Sequence, residues 1–331
     1  MSLSKQITDA FGKFSQYNIL VVGDVMIDSY MWGKVERISP EAPVPIISIT
    51  SHEDRLGGAA NVGLNVKAMG ANPIMCAVIG NDAKGQLFYS LLEQNSLPTD
   101  GILKSDSRQT TVKTRIISNN QHLLRIDEEQ TKPLSADLEQ QFIKHIDSLF
   151  GKFKFDAVIF EDYDKGNITP SVIEHVVSLA RKSGIPTLVD PKKRNFDSYK
   201  NVTLFKPNFK EICEGLKINM EKGDFVALDS AAQRLRKQLN AEYLMVTLSE
   251  LGVFITDGDG YSRTPAEIRD IADVSGAGDT VISVAACCLA SGLPATLTSQ
   301  IANIAGGLVC EKVGVVPIDK QLLLDDINGK F

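Results

Sequence analysis

Short apolar runs alternate with longer amphipathic stretches along most of this 331-residue chain. The runs at 18–22, 73–79, 157–160, 186–189, 202–205 and 243–248 are mostly apolar and rich in Val, Ile and Leu. Between them, 59–69, 85–94, 170–182 and 225–239 carry apolar residues at helical spacing. Continuous apolar strands between amphipathic helices predict an α/β fold whose parallel sheet is covered on both faces. Ligands of such sheets bind beyond the carboxyl ends of the strands, which directs attention to the residues that follow each run.

Two regions break the alternation. Residues 30–50 contain Pro40, Pro43 and Pro45 among extended apolar residues, and 110–125 read as two strands around the turn Ser118-Asn119-Asn120-Gln121. Together they predict a small antiparallel lid, from about 30–50 and 110–126, on one domain spanning 1–331. There is no Ser/Gly-rich linker, repeat or low-complexity tract.

Composition narrows the function classes. A hydrophobic content of 43% can fill a core without staples. The start of the chain shows no signal-peptide pattern and no run of 18 apolar residues occurs, so a cytoplasmic protein without a membrane partner is expected. The cysteines (Cys76, Cys213, Cys287, Cys288, Cys310) lack metal-ligand spacing, and the four histidines are scattered. A net charge of −6 argues against a nucleic-acid partner. Phosphorylated small molecules remain open, because the nearest charges set the field in a cleft.

The strongest chemical signal is Asp273-Val274-Ser275-Gly276-Ala277-Gly278-Asp279-Thr280 before an apolar helix. Small residues let the backbone approach a ligand, and free N–H groups at a helix start favour negative charge. Gly276, Ala277 and Gly278 could therefore hold a transferring phosphoryl group, with Asp279 beside it as a proton acceptor for an attacking hydroxyl. A glycine turn with Asp279 as a favourable first-turn charge fits the same residues.

Weaker signals lie elsewhere. Gly57-Gly58 precede a helix carrying Asn61 and could present backbone and amide groups to a polyol, or simply make a turn. Asp24 and Asp28 follow the first strand, where carboxylates could bind hydroxyl pairs or cap a turn. Asn208 and Glu211 fit a helix-capping pair and equally a water-coordinated magnesium site near nucleotide phosphates. Thr247, Ser249 and Gly252 join two apolar strands where a nucleotide could lie, or form an ordinary hairpin. Lys192 lies in the cationic run after the strand ending at Val189, while Lys165, Arg115 and Arg125 fall in loop or lid positions; each is a candidate phosphate ligand or a solvated charge. No G-x-x-x-x-G-K-[ST] or G-x-G-x-x-G segment supports a P-loop enzyme or a dinucleotide-binding dehydrogenase.

Taken together, Gly57-Gly58-Ala59-Ala60-Asn61 through Gly80-Asn81-Asp82, then Asn208-x-x-Glu211, then Asp273 to Thr280 resemble the ordered signatures of the ribokinase-like (PfkB) carbohydrate kinases, over about 21–316. The resemblance implies a three-layer sandwich with about nine strands, a β lid, and a homodimer formed through that lid. It implies ATP and Mg2+ as cofactors and leaves open a monovalent cation such as K+. Carried over, Asp279 is the base and Gly276 to Gly278 the anion hole. Asn208 and Glu211 serve the metal and phosphates, Thr247, Ser249, Gly252 and Asn303 the nucleotide, and Asp24, Asp28, Gly57, Gly58 and Asn61 the sugar, with Arg125, Lys165 and Lys192 as further substrate ligands.

Gly23 to Gly33, Arg37 to Pro45, Leu124-Arg125-Ile126-Asp127 and Asp190-Pro191-Lys192 also resemble the kinase half of bifunctional heptose-phosphate enzymes. This implies phosphorylation of D-glycero-β-D-manno-heptose 7-phosphate at O1, in lipopolysaccharide core synthesis. Val274 stands where many family members carry Thr, a difference of little weight because the anion hole uses backbone groups. No H-x-G-H nucleotidyltransferase motif occurs before Phe331, so only the kinase step is expected, with a separate nucleotidyltransferase downstream. Alternatives are a kinase for ribose, fructose or a fructose phosphate, a non-catalytic sugar-phosphate sensor, which would not need the base, and a dehydrogenase.

Overall fold

The computed structural model describes residues 3–119, 121–267 and 269–330. In chain order its strands are β1 (Asn18–Gly23), β2 (Val25–Ile38), β3 (Pro45–Gly58), β4 (Asn72–Gly80), β5 (Ile102–Ser105), β6 (Val112–Ser118), β7 (Gln121–Glu128), β8 (Ala157–Glu161), β9 (Thr187–Asp190), β10 (Leu204–Phe205), β11 (Tyr243–Thr247), β12 (Val253–Thr256) and β13 (Tyr261–Thr264). The helices are α1 (Leu3–Lys13), α2 (Ala59–Ala68), α3 (Ala83–Gln94), α4 (Ala136–Lys152), α5 (Pro170–Ser183), α6 (Phe209–Leu216), α7 (Phe225–Leu239), α8 (Ala277–Ala290), α9 (Ala295–Cys310) and α10 (Lys320–Asn328).

Nine strands form the main sheet in the order β13-β12-β11-β10-β9-β8-β1-β4-β5. Neighbours from β5 through to β11 are parallel, and β12 and β13 add an antiparallel edge. Alternate side chains of β1 enter different cores: Ile19 and Val21 pack with α1, α2, α3, α8, α9 and α10, whereas Leu20 and Val22 pack with α4, α5, α6 and α7. Both faces are thus covered, which is why the strands read as unbroken apolar runs. Local chemistry fixes the helix ends: Thr169 caps α5 ahead of Pro170, and left-handed Gly184 ends it.

A four-stranded sheet, β3-β2-β6-β7, rises from the main one. Only Asp24 separates β1 from β2, and β3 runs without interruption into α2. The lid strands are therefore longer than the expected 30–50, and Gly57 and Gly58 are the last residues of a lid strand. The expected all-antiparallel pairing also needs correction: β2 and β6 are parallel, because the chain visits the main sheet through β4 and β5 between them. The hairpin of β6 and β7 forms where expected, although Asn120 of its turn lies outside the described residues. The expected strand 202–205 shortens to Leu204–Phe205. Among the described residues no helix is long and apolar enough to cross a membrane.

Candidate active site

The carboxyl ends of adjacent strands β10, β9, β8 and β1 bring Lys206, Asp190, Glu161 and Asp24 into a row, and α8 begins above them. Gly276 adopts φ 79°, a left-handed conformation open to glycine, and Ala277, Gly278 and Asp279 form the first turn of α8. A Cβ at Gly276 would stand 3.0 Å from Val315 and 3.2 Å from the Asn61 amide. The glycines thus let backbone N–H groups at the helix start face the cleft, where anions are favoured.

Asp279 is 7% exposed and both its oxygens are engaged. Asn61 Nδ2 donates to Oδ2 at 2.6 Å, and the Tyr163 hydroxyl donates to Oδ1 at 3.1 Å. Burial pushes its pKa up to about 6, opposed by the bonds from Asn61 and Tyr163. An aspartate in that range is ionised at neutral pH yet basic enough to take a proton. Asn61 reaches it because α2 packs on α8, and Asn65 one turn on accepts from the Thr280 hydroxyl at 3.0 Å.

Glu161, Asp190 and Asp279 each present a carboxylate oxygen within 4.8 Å of the others. Asp190 is paired with buried Lys206 at 2.7 Å. Burial, with Asp190 and Asp279 close by, raises the pKa of Glu161 well above the usual carboxylate range. Its Oε2 has no hydrogen-bond partner among the described residues. Buried, hard oxygen donors with one atom unsatisfied fit a divalent cation.

The expected metal pair looks different. Asn208 and Glu211 form a complete capping box on α6: Asn208 Oδ1 accepts the Glu211 N–H and Glu211 Oε2 accepts the Asn208 N–H. Glu211 Oε1 accepts from Lys192 at 2.6 Å, so both of its oxygens are committed at the rim of the site.

Asp24 turns out to be a scaffold residue. Fully buried, its carboxylate accepts the backbone N–H groups of Tyr163 and Lys165 at 2.9 Å and of Asn167 at 3.0 Å. It holds the loop that presents Tyr163 and has no exposed surface to offer a sugar. Asp28 differs: it accepts from Arg115 Nη1 at 2.6 Å and lies against Gly57, where any Cβ would collide with its carboxylate.

Other expected ligands are spread out. Thr247 bridges to Asn208, and the segment through Ser249 folds into a hairpin in which Gly252 O accepts the Leu248 N–H at 2.7 Å. Asn303 on α9 donates to Pro265 O at 2.9 Å, bracing the chain that leads to α8. Lys165 Nζ pairs with Glu129 at 2.9 Å. Arg125, on the outermost lid strand, is held by both oxygens of Asp127 and its side chain is 57% exposed.

Comparison with known proteins gives this geometry its context. A family model described as pfkB family carbohydrate kinase matches residues 16–321. The chain belongs to that family. As a kinase of this family it transfers phosphate from ATP to a sugar with the help of a divalent metal. The kinase is 38% identical over 311 residues to the bifunctional protein HldE of Trichlorobacter lovleyi, covering 94% of this chain and 62% of that protein. It is 39% identical over 312 residues to HldE of Methylobacillus flagellatus, covering 94% and 63%. The chain therefore spans less than two thirds of the length of these relatives. Phosphofructokinase-2 from Escherichia coli, in complex with potassium, shares the fold with a TM-score of 0.75 at 18% identity, covering 94% of this chain and 99% of that one. Arabidopsis thaliana ribokinase, complexed with ribose and ATP, does so with a TM-score of 0.72 at 18% identity, covering 95% and 99%.

Sequence reasoning passed over Tyr163, Glu161 and Lys206. The first two sit in Glu161-Asp162-Tyr163, directly beyond the carboxyl end of β8, where a parallel sheet places its ligands. That position was the available signal.

Proposed function

We propose that this kinase phosphorylates D-glycero-β-D-manno-heptose 7-phosphate at O1, giving the 1,7-bisphosphate. The observation that carries the reading is the 38–39% identity to HldE proteins across 94% of the chain, together with Asp279 fixed by Asn61 and Tyr163 at the start of α8. In the proposed step the sugar hydroxyl displaces the Asn61 or Tyr163 bond and gives its proton to Asp279. Its oxygen bonds to the γ-phosphorus of ATP as the bond to the departing ADP oxygen breaks. N–H groups of Gly276 and Gly278, with that of Ala277 turning from its long 3.4 Å bond to Val274 O, receive the charge that spreads over the transferring phosphoryl oxygens. Lys206 and Lys192, both with pKa values held up by neighbouring carboxylates despite burial, supply positive charge on the nucleotide side.

A divalent ion, Mg2+ in our reading, would supply further charge neutralisation, held by Glu161 and Asp190 with Asn208 and Glu211 at the rim. The sugar falls to Asp28, Gly57, Gly58 and Asn61, and Thr247, Ser249, Gly252 and Asn303 flank the nucleotide side. Exposed apolar residues on the lid, Val35, Ile38, Ile49, Leu123, Leu124 and Ile126, support a homodimer formed through it. A monomeric mass in light scattering at micromolar concentration would remove that part. The product, a sugar bisphosphate, suits a downstream nucleotidyltransferase in ADP-heptose and lipopolysaccharide core synthesis, and a cytoplasmic location follows from that role.

The test is ADP release with Mg-ATP across heptose 7-phosphate, ribose, fructose and fructose phosphates. The highest kcat/KM should belong to the heptose phosphate; preference for another sugar would discard the substrate and keep the kinase.

A further inference from the structure

The inner face of the lid carries two guanidinium groups on one aromatic ring. Arg55 on β3 and Arg115 on β6 lie with their central carbons 5.0 and 5.1 Å from the centroid of Tyr30 on β2. The cross-strand register explains the meeting: Tyr30 pairs with Arg115, and Asp28, one step along the same face, pairs with Arg55. Cation–π attraction and the Asp28 carboxylate offset the repulsion of two like charges this close.

Both guanidinium groups keep N–H donors in reserve at the mouth of the site. Lys113 is shared between Asp127 and Glu129, Lys165 is held by Glu129, and Lys206 by Asp190. Arg55 gives Nε and Nη2 to Glu53, and no hydrogen bond from its Nη1 is present among the described residues. That Nη1 lies 3.2 Å from where a Cβ on Gly314 would stand, and the Gly314 N–H is bonded to Asp273 just ahead of α8. Among the described residues Arg115 gives only Nη1, to Asp28 and to Lys113 O, leaving Nε and Nη2. Their side chains are 34% and 20% exposed, so a ligand can reach both.

We infer that Arg55 and Arg115, seated on Tyr30, form the receptor for the phosphate monoester of a sugar-phosphate substrate. The inference rests on the sugar-phosphate kinase reading above and adds to it the group that selects a phosphorylated sugar. Guanidinium forks match phosphate oxygens bidentately, and a dianion relieves the repulsion between the two arginines. Asp28 and Gly57 lie between this receptor and Asn61, so the sugar spans from the arginines to Asp279, its phosphate at the far end from the reacting hydroxyl.

The experiment compares wild type, Arg55→Met, Arg115→Met and Arg115→Lys. It measures kcat/KM for a sugar phosphate and for the same sugar without phosphate, and binding of inorganic phosphate by calorimetry in the absence of turnover. Each Met variant should lose about 10- to 100-fold in kcat/KM for the phosphorylated sugar, the range for one charge-assisted contact. Both should bind inorganic phosphate more weakly with KM for ATP little changed, and each should lose more on the phosphorylated sugar than on the free sugar, which Arg115→Met also weakens by unpairing Asp28. Arg115→Lys keeps a cation for Asp28 and should recover part of the loss. Glu53, the partner of Arg55, is itself exposed, so Arg55→Met remains a fair test if Arg115→Met unfolds. Equal losses on both sugars, or undiminished phosphate binding in the variants, would overturn the inference and leave the kinase reading intact. Arginine-dependent phosphate binding with no turnover of any sugar phosphate would do the reverse.

Discussion

Replacing Asp279 with Asn should make the protein more stable while removing its activity, and the pH dependence of that gain can be worked from the structure. The carboxyl group is buried, and its pKa rises from an ordinary 3.8 to about 6. A carboxyl whose pKa is raised by folding is favoured folded in its neutral form, so its contribution to stability declines as pH rises from 3.8 through 6 and is then constant. The size of that decline is roughly 3 kcal/mol at about 1.4 kcal/mol per pH unit. In Asp279→Asn the amide oxygen can accept from Asn61 and the amide N–H can donate to the Tyr163 hydroxyl, so no buried group is orphaned. Urea unfolding at pH 8 should find the variant more stable by about 3 kcal/mol, at pH 5 by about half that, and near pH 3.8 by little. Turnover should fall by about 10²- to 10⁴-fold or more, the usual worth of a general base, with ATP binding retained. A variant less stable than wild type at pH 8, or one with near-normal turnover, would refute the assignment of Asp279 as a buried, strained base.

Three further substitutions probe the same site. Tyr163→Phe removes a donor that stabilises charged Asp279, so its pKa should rise further and the acid limb of the kcat/KM profile should move to higher pH; an unmoved limb would leave Tyr163 without influence on the base. Gly276→Ala places a side chain at φ 79° and against Asn61, which should cost about 1–2 kcal/mol of stability and lower kcat; wild-type values of both in thermal unfolding and ADP-release assays would contradict the close approach described here. Asp24→Asn takes away acceptor capacity from three backbone N–H groups and should destabilise by roughly 3 kcal/mol, with KM for the sugar unchanged in the folded fraction; a selective rise in that KM would restore Asp24 to sugar binding.

Much of the main sheet was legible because burial on both faces leaves an unbroken apolar run, as in Ile19 to Val22, and because helices between such runs keep their period. The lid was only partly legible. Val25 to Ile27 are apolar and buried, so nothing in their pattern separates β2 from β1, and the single residue Asp24 between them marks the change of sheet. The parallel pairing of β2 with β6 was hidden for another reason: it depends on where the chain travels between them, which local pattern does not encode. In the site, Asp279 stood out because three small residues precede it. Tyr163 and Glu161 did not, since their roles arise from strand order, which sets β8 beside β1 and beneath α8. Asp24 misled because an acid at a strand end has the same sequence signature whether it faces a ligand or, as here, the loop N–H groups of its own chain.

The site's charges show why these residues must act together. Three carboxylates within 4.8 Å would repel strongly when ionised, and among the described residues the one buried cation bonded to them, Lys206, is bonded to Asp190 alone. Glu161 meets the excess with a raised pKa and an unsatisfied oxygen, and Asp279 with a raised pKa and two donated hydrogen bonds. Such an arrangement costs folding energy, and a protein keeps it where a cation and a reacting hydroxyl are to enter. The same logic separates the lid. There Arg55 and Arg115, each already paired with one carboxylate, still hold unused N–H donors, so the two ends of the cleft make opposite demands: a cation and a proton donor at the floor, an anion at the mouth. A neutral sugar bearing one phosphate, oriented with that phosphate toward the lid and a hydroxyl toward Asp279, meets both demands at once, whereas the reverse orientation would bring a dianion onto Glu161, Asp190 and Asp279.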